Sequence, residues 1–221
     1  LEATQTDLDR VVALDIATVI DLRGDSERSD FPCARHADFN AEILFAAGET
    51  VDGNAAPHVE AAMDVSTAED AHAAMVRLYA TMPFRPNLVA IYRLYFDALA
   101  NREGASLLHC LAGKDRTGIA AALLHSLIGV HHDDLMADYL LTNMAGNVER
   151  RIAAGAKVVR ASFGPSMDDA AVRTLMSVHP DFLDTAFTTI AGHHGSVEAY
   201  ARDVLGVTPA MVARMEERLL V

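Results

Sequence analysis

Cys110 and Arg116, with five residues between them, are the pair in this chain best suited to chemistry. At that spacing a cysteine and an arginine can close one tight loop around a phosphate. The arginine's planar fork grips two oxygens, and the sulfur lies under the phosphorus. The full stretch reads His109-Cys110-Leu111-Ala112-Gly113-Lys114-Asp115-Arg116-Thr117-Gly118. A phosphoryl group held there can pass to sulfur and then to water, a two-step transfer that positioning and charge stabilisation drive without a metal. Thr117 can lend its hydroxyl to the sulfur when the sulfur leaves. Lys114, one of only two lysines (the other is Lys157), adds charge where the phosphate would bind.

Two elements must hold such a loop. Ala105-Ser106-Leu107-Leu108 reads as a buried strand, and Ile119 to Ile128 as a buried helix. The loop then lies at the carboxyl end of a strand and the amino end of a helix, where unpaired N–H groups and the helix dipole favour an anion. Gly113 and Gly118 let the backbone curl so that N–H groups from Leu111 to Arg116 point inward as a nest. The same field favours the Cys110 thiolate over the thiol. Two other loop chemistries fit less well. A nucleotide loop needs Ser or Thr after Gly-Lys, and here Asp115 follows Lys114. A rhodanese-like sulfur carrier would lack the Arg116-Thr117 continuation.

His-Cys-x-x-Gly-x-x-Arg-Thr-Gly resembles the phosphate loop of the cysteine-dependent protein tyrosine phosphatase superfamily. The Gly-Lys-Asp-Arg-Thr-Gly version is similar to the bacterial atypical tyrosine and lipid phosphatases, the mycobacterial tyrosine phosphatase B family. Thr18 to Arg23 with Glu27, Ala137 to Asn143 and Gly195 to Tyr200 resemble the same family. The resemblance implies that Cys110 is the nucleophile, that Arg116 binds phosphate, and that His109 steadies the loop through ring hydrogen bonds. It favours Asp115 as the general acid, although Asp115 can equally orient Arg116. The usual Trp-Pro-Asp acid loop is absent, since the chain has no Trp. Asp38, Glu42 and Asp52 remain rival acids.

The substrates implied are phosphotyrosine, with phosphoserine, phosphothreonine and phosphoinositides as extensions. Lys114 would meet a second phosphate on an inositol ring. The alternatives are an inositol-phosphate phosphatase, or a regulatory module that binds phosphate without turnover. No cofactor and no metal are expected. His131-His132-Asp133-Asp134 and His193-His194 are not chelates by themselves, because adjacent side chains diverge.

Composition narrows the partners. The chain has 221 residues, enough for one sizeable core and one domain over 1–221, and 51% of them are hydrophobic. A net charge of −13 opposes nucleic acid and anionic membrane surfaces. No apolar run reaches the ~20 residues that span a bilayer. The start at Leu1 shows no signal-peptide pattern and, lacking Met, points to a trimmed or incomplete N-terminus; a cytoplasmic or a secreted protein is compatible with it. Cys33 and Cys110 make no disulfide framework, and Cys33 reads as a small buried hydrophobe. Oligomeric state is not legible.

The remaining pattern is α/β: a small, mostly parallel central sheet surrounded by helices, with a helix-rich C-terminal half. Thr6 is expected to cap a first helix. Ala17–Leu22 reads as a buried strand ending in a structural Asp21–Arg23 ion pair. Residues 24–65 are irregular, with Gly24, Pro32, Gly48, Gly53 and Pro57, and include a short strand near Ala34–Phe39; such a segment can border an active site. Ser66 with Glu69 reads as a capping box for a helix burying Ala71, Ala74, Met75, Leu78, Tyr79 and Met82. A helix after Pro86 buries Leu88, Ile91, Tyr92, Tyr95 and Leu99. Further helices are predicted near 133–143, 147–160, 168–177, 181–191, 196–204 and 209–220, with caps at Asp133, Asp181, Ser196 and Thr208.

Overall fold

The computed structural model describes residues 3–50, 62, 65–163 and 167–220, with side chains 162 and 163 excepted. Asp52, Gly53 and Pro57, singled out above, lie outside the described residues.

The sheet has three parallel strands in the order β2-β1-β3, where β1 is Ile16–Asp21, β2 is Glu42–Leu44 and β3 is Ala105–His109. β1 is central. Its residues from Thr18 to Asp21 are all buried, as a parallel strand covered on both faces requires. β3 departs from the expected buried strand: Ala105, Ser106 and Leu107 are exposed and Leu108 is half-buried. It is an edge strand, so its apolar composition does not translate into burial. Register matters more than burial here, because Asp21 is paired with His109 and both strands end at one rim. The loop that follows His109 therefore opens at the carboxyl ends of the strands, where α/β sheets place ligands.

Two short segments of the irregular stretch prove ordered. A helix α2, Asp25–Asp30, was not expected, and the second strand falls at Glu42–Leu44 rather than near Ala34–Phe39. Gly24 opens α2 where the chain passes close to Glu49 and Thr50. A Cβ there would lie 2.4 Å from Glu49 Oε2 and 3.2 Å from the backbone of Glu49 and Thr50.

Helices surround this sheet. α1 is Gln5–Ala13, α3 Ala68–Thr81, α4 Pro86–Asn101, α5 Asp115–Leu127, α6 His132–Leu140 and α7 Val148–Phe163. α8 is Asp169–Met176, α9 Pro180–His194, α10 Val197–Asp203 and α11 Pro209–Leu219. α5 is the central one: Ile119, Ala120, Ala122, Leu123 and Leu127 are buried around much of its circumference. The expected faces of α3 and α4 are buried, with Leu99 only partly so.

Several caps shift. Thr4 caps α1 with Asp7, and Thr67 caps α3 with Asp70, in place of Thr6 and of Ser66 with Glu69. α6 and α9 are capped by His131 and His179, whose ring nitrogens accept from Asp133 N and Asp181 N, in place of Asp133 and Asp181 themselves. Ser196 and Thr208 cap as expected. No helix among the described residues is long and apolar enough to cross a membrane.

Candidate active site

The loop from Cys110 to Lys114 joins β3 to α5, which begins at Asp115. The two glycines of the motif do different jobs. Gly113 takes φ +64°, the left-handed turn that a Cβ disfavours. Gly118 is helical, and its need is space: a Cβ there would lie 2.8 Å from the Tyr139 ring. The expectation that Gly118 curls the loop is thus corrected; its missing side chain lets α6 approach α5. Leu111 and Ala112 are half-buried and Gly113 is exposed, while Cys110 is buried.

Arg116 is 2% exposed and caged by three segments distant in sequence. Its Nη1 donates to Leu22 O at 3.2 Å and Thr50 Oγ1 at 3.0 Å. Glu27 faces it bidentately, with Oε1 accepting from Nη2 at 2.7 Å and Oε2 from Nη1. Tyr92 OH donates to Arg116 O at 3.2 Å. Burial alone would lower the guanidinium's pKa, but the Glu27 hydrogen bonds and the charges of Cys110, Glu27 and Asp115 raise it above its ordinary value. Arg116 is a fixed cation. Two buried polar atoms of the motif, Arg116 Nε and Thr117 Oγ1, have no hydrogen-bond partner among the described residues. Buried polar groups are rarely left unpaired. Because Glu27 occupies one side of the fork, the Arg116 donors left without a partner among the described residues are the Nε–H and the second Nη2 hydrogen.

Asp115 and Lys114 look the other way. Asp115 is 4% exposed; its Oδ1 accepts from Tyr79 OH at 2.9 Å, and Tyr139 OH in turn donates to Tyr79 OH at 2.8 Å. Burial, then the charge of Asp115 and the contact with Tyr139, hold the Tyr79 phenol well above its ordinary pKa, so it stays a donor. Lys114 is placed differently from the expectation that it faces a phosphate. It is 1% exposed, with Nζ bonded to Leu175 O and, at 3.2 Å, to Ser177 O, and 3.3 Å from Asp115 Oδ1. Backbone carbonyls at the carboxyl end of α8 draw the ammonium inward.

His109 Nδ1 lies 3.0 Å from Cys110 O and Nε2 lies 3.8 Å from Asp21 Oδ2. Burial lowers its pKa below 6.5, against the opposing pull of Asp21 and the Cys110 carbonyl. The ring thus lies between the loop backbone and the Asp21 carboxylate. Asp21 and Arg23 form the expected ion pair, with Arg23 Nε to Oδ1 at 2.8 Å and Nη2 to Oδ2 at 2.7 Å. Burial would raise the Asp21 pKa; the Arg23 hydrogen bond and the charges of His109 and Arg23 outweigh it and bring it below the ordinary value. Cys33 is half-buried rather than buried, is free like Cys110, and takes Arg23 Nη2 at 3.2 Å.

Two of the rival acids lie among the described residues. Asp38 is 80% exposed at its side chain beside His36, and Glu42 pairs with Arg102 ahead of β3, at the sheet end away from the loop. Sequence reasoning missed Thr50 and gave Glu27 no role. The Gly24-x-x-Glu27 spacing was a usable cap signal, since Glu27 Oε2 accepts from Gly24 N at 3.1 Å. Tyr79 reads as core packing and Tyr139 only as part of the Ala137–Asn143 resemblance, and their hydroxyls were the overlooked signal.

A buried cysteine and a caged arginine at one strand–loop–helix junction on the sheet's carboxyl rim are features of the cysteine-dependent tyrosine phosphatases. The chain belongs to the tyrosine phosphatase family, which it matches over residues 1–221. It is 32% identical over 214 residues to a Cupriavidus necator protein named "Putative tyrosine-protein phosphatase", covering 95% of this chain and 73% of that one. It is 33% identical over 122 residues to the Mycobacterium tuberculosis triple specificity protein phosphatase PtpB, covering 52% of this chain and 43% of PtpB. A tyrosine-protein phosphatase of Nostoc commune is 49% identical over 43 residues, or 20% of this chain and 15% of that protein.

Proposed function

We propose that this phosphatase hydrolyses phosphotyrosine and other phosphomonoesters through a cysteinyl-phosphate. The observation that carries the reading is the caged, permanently charged Arg116, whose buried Nε, like the Thr117 hydroxyl, has no partner among the described residues.

In the first step the Cys110 thiolate attacks phosphorus as the P–O bond to the leaving group breaks. Asp115 gives its proton to the departing oxygen. Arg116 and the loop N–H groups hold the equatorial oxygens, whose charge grows in the transition state. In the second step water attacks the phosphorus, the S–P bond breaks, and the water proton returns to Asp115. Thr117 Oγ1 donates to the departing sulfur. His109 and Glu27 act as positioning residues.

The substrate range is drawn broadly because one relative is a triple specificity phosphatase by name. Phosphoinositides stay within that range, but the Lys114 contacts give no support to a second-phosphate site at that residue.

The test compares wild type, Cys110→Ser and Asp115→Asn on p-nitrophenyl phosphate, an alkyl phosphate, phosphopeptides and phosphoinositides. Cys110→Ser abolishes turnover; comparable rates would sink the covalent mechanism, and no turnover by wild type would leave a phosphate-binding module. Asp115→Asn slows the alkyl phosphate far more than p-nitrophenyl phosphate, whose leaving group needs little protonation. Equal losses would assign Asp115 to orienting Arg116. Turnover confined to the inositol substrates would favour an inositol-phosphate phosphatase.

A further inference from the structure

Away from the loop, α3 and the start of α9 bring two imidazoles and a carboxylate together. His72 Nε2 lies 3.1 Å from Asp181 Oδ2, and His179 Nδ1 lies 3.5 Å from the same oxygen. The ligand atoms of all three residues lie within 4.8 Å of one another. The two rings stand edge to face with centroids 5.0 Å apart, and both rest on the Phe182 ring, at 5.2 Å and 5.8 Å. We propose that His72, His179 and Asp181 form a zinc-binding site that staples α3 to the amino end of α9.

The chemistry of the donors supports this. Two imidazole nitrogens and one carboxylate oxygen are ligands that zinc accepts at about 2.0–2.2 Å, with a fourth position left to water. Tetrahedral geometry at those bond lengths puts neighbouring ligand atoms roughly 3.3 Å apart. The two distances to Asp181 Oδ2 bracket that value. His179 Nδ1 already presents a lone pair, since it accepts from Asp181 N at a long 3.3 Å. Zinc would replace that weak cap with a stronger bond. Phe182 backs both rings. The three residues are half-buried or exposed at the surface, open to an ion from solvent.

The site is separate from the thiol chemistry, yet adjoins the segment whose Ser177 carbonyl receives Lys114. It is not a catalytic metal site: the proposal concerns a tie between helices.

The experiment titrates Zn²⁺ into the Cys110→Ser protein, which removes the competing nucleophilic thiol, by calorimetry and by thermal unfolding. One equivalent binds and Tm rises as the ligand concentration exceeds Kd. His72→Gln and Asp181→Asn each lower the affinity by at least about tenfold, the loss that even outer-shell changes bring. Both variants keep their unliganded Tm close to that of the parent, which shows that they fold. Mg²⁺ gives no comparable shift, because it favours oxygen ligands. No zinc binding, or binding that survives both substitutions, would overturn the proposal and leave an ordinary ion-pair cluster.

Discussion

Asp115 and Arg116 are neighbours in sequence and occupy opposite kinds of surroundings. Arg116 faces the segment from β1 to Thr50, where a carboxylate, a hydroxyl and a carbonyl hold a permanent cation. Asp115 faces α3 and α6, where two phenols in series and one ammonium meet a single carboxylate oxygen. The first region is an ion pair that must not change its charge. The second is a hydrogen-bonded relay around a group proposed to gain and lose a proton. One turn of α5 serves both needs by directing adjacent side chains apart.

The largest effect should come from breaking the cation's cage. Glu27→Gln leaves Arg116 buried without a counter-charge, and removing one partner of such a pair costs about 3–5 kcal/mol. Urea denaturation measures it, and an unchanged midpoint would mean that Glu27 does not set the Arg116 environment. The relay should be softer. Tyr79→Phe withdraws one hydrogen bond from Asp115 and leaves its buried oxygen to Lys114, a loss of about 1–3 kcal/mol. Tyr139→Phe, which deprives only the Tyr79 oxygen, should cost less in the same assay.

Combining Glu27→Gln with Tyr79→Phe sharpens the contrast. The two share no hydrogen-bond partner, so their losses should add to within about 0.5 kcal/mol. A larger coupling energy would show that α5 transmits strain from cage to relay.

The smallest effect is in pH. His109 has a folded-state pKa below 6.5, so the unfolded chain takes up the proton first. Its contribution to stability is complete above that value and is lost as pH falls from it toward the lower folded value. The urea midpoint should therefore decline as pH falls through about 6.5, and His109→Gln should flatten the decline. An equal slope in the variant would move the effect to another group.

Much of the architecture is legible in local pattern. The strand, loop and helix around Cys110 follow from a contiguous run, and the buried faces of α3 and α4 follow from helical spacing. The misplacements also have local causes. Consecutive Ser66-Thr67 and near-neighbour Thr4 and Thr6 offer the same hydroxyl, and the geometry selects whichever is followed three residues on by a usable carboxylate, Asp7 or Asp70. His131 and His179 escaped because imidazoles are outside the usual capping set. β3 misled because apolar residues on an edge strand look the same in sequence as those in a central one.

The sequence by itself determined the candidate loop around Cys110 and the elements on either side, because those depend on residues within one short run and on backbone periodicity. The tertiary structure alone decided that Glu27, Leu22 and Thr50 enclose Arg116, that Lys114 turns to Leu175 and Ser177, and that His72 meets His179 and Asp181. Those contacts join segments far apart in the chain. They arise when buried charges and polar groups, brought together by packing, must find partners out of water, a requirement that no local spacing records.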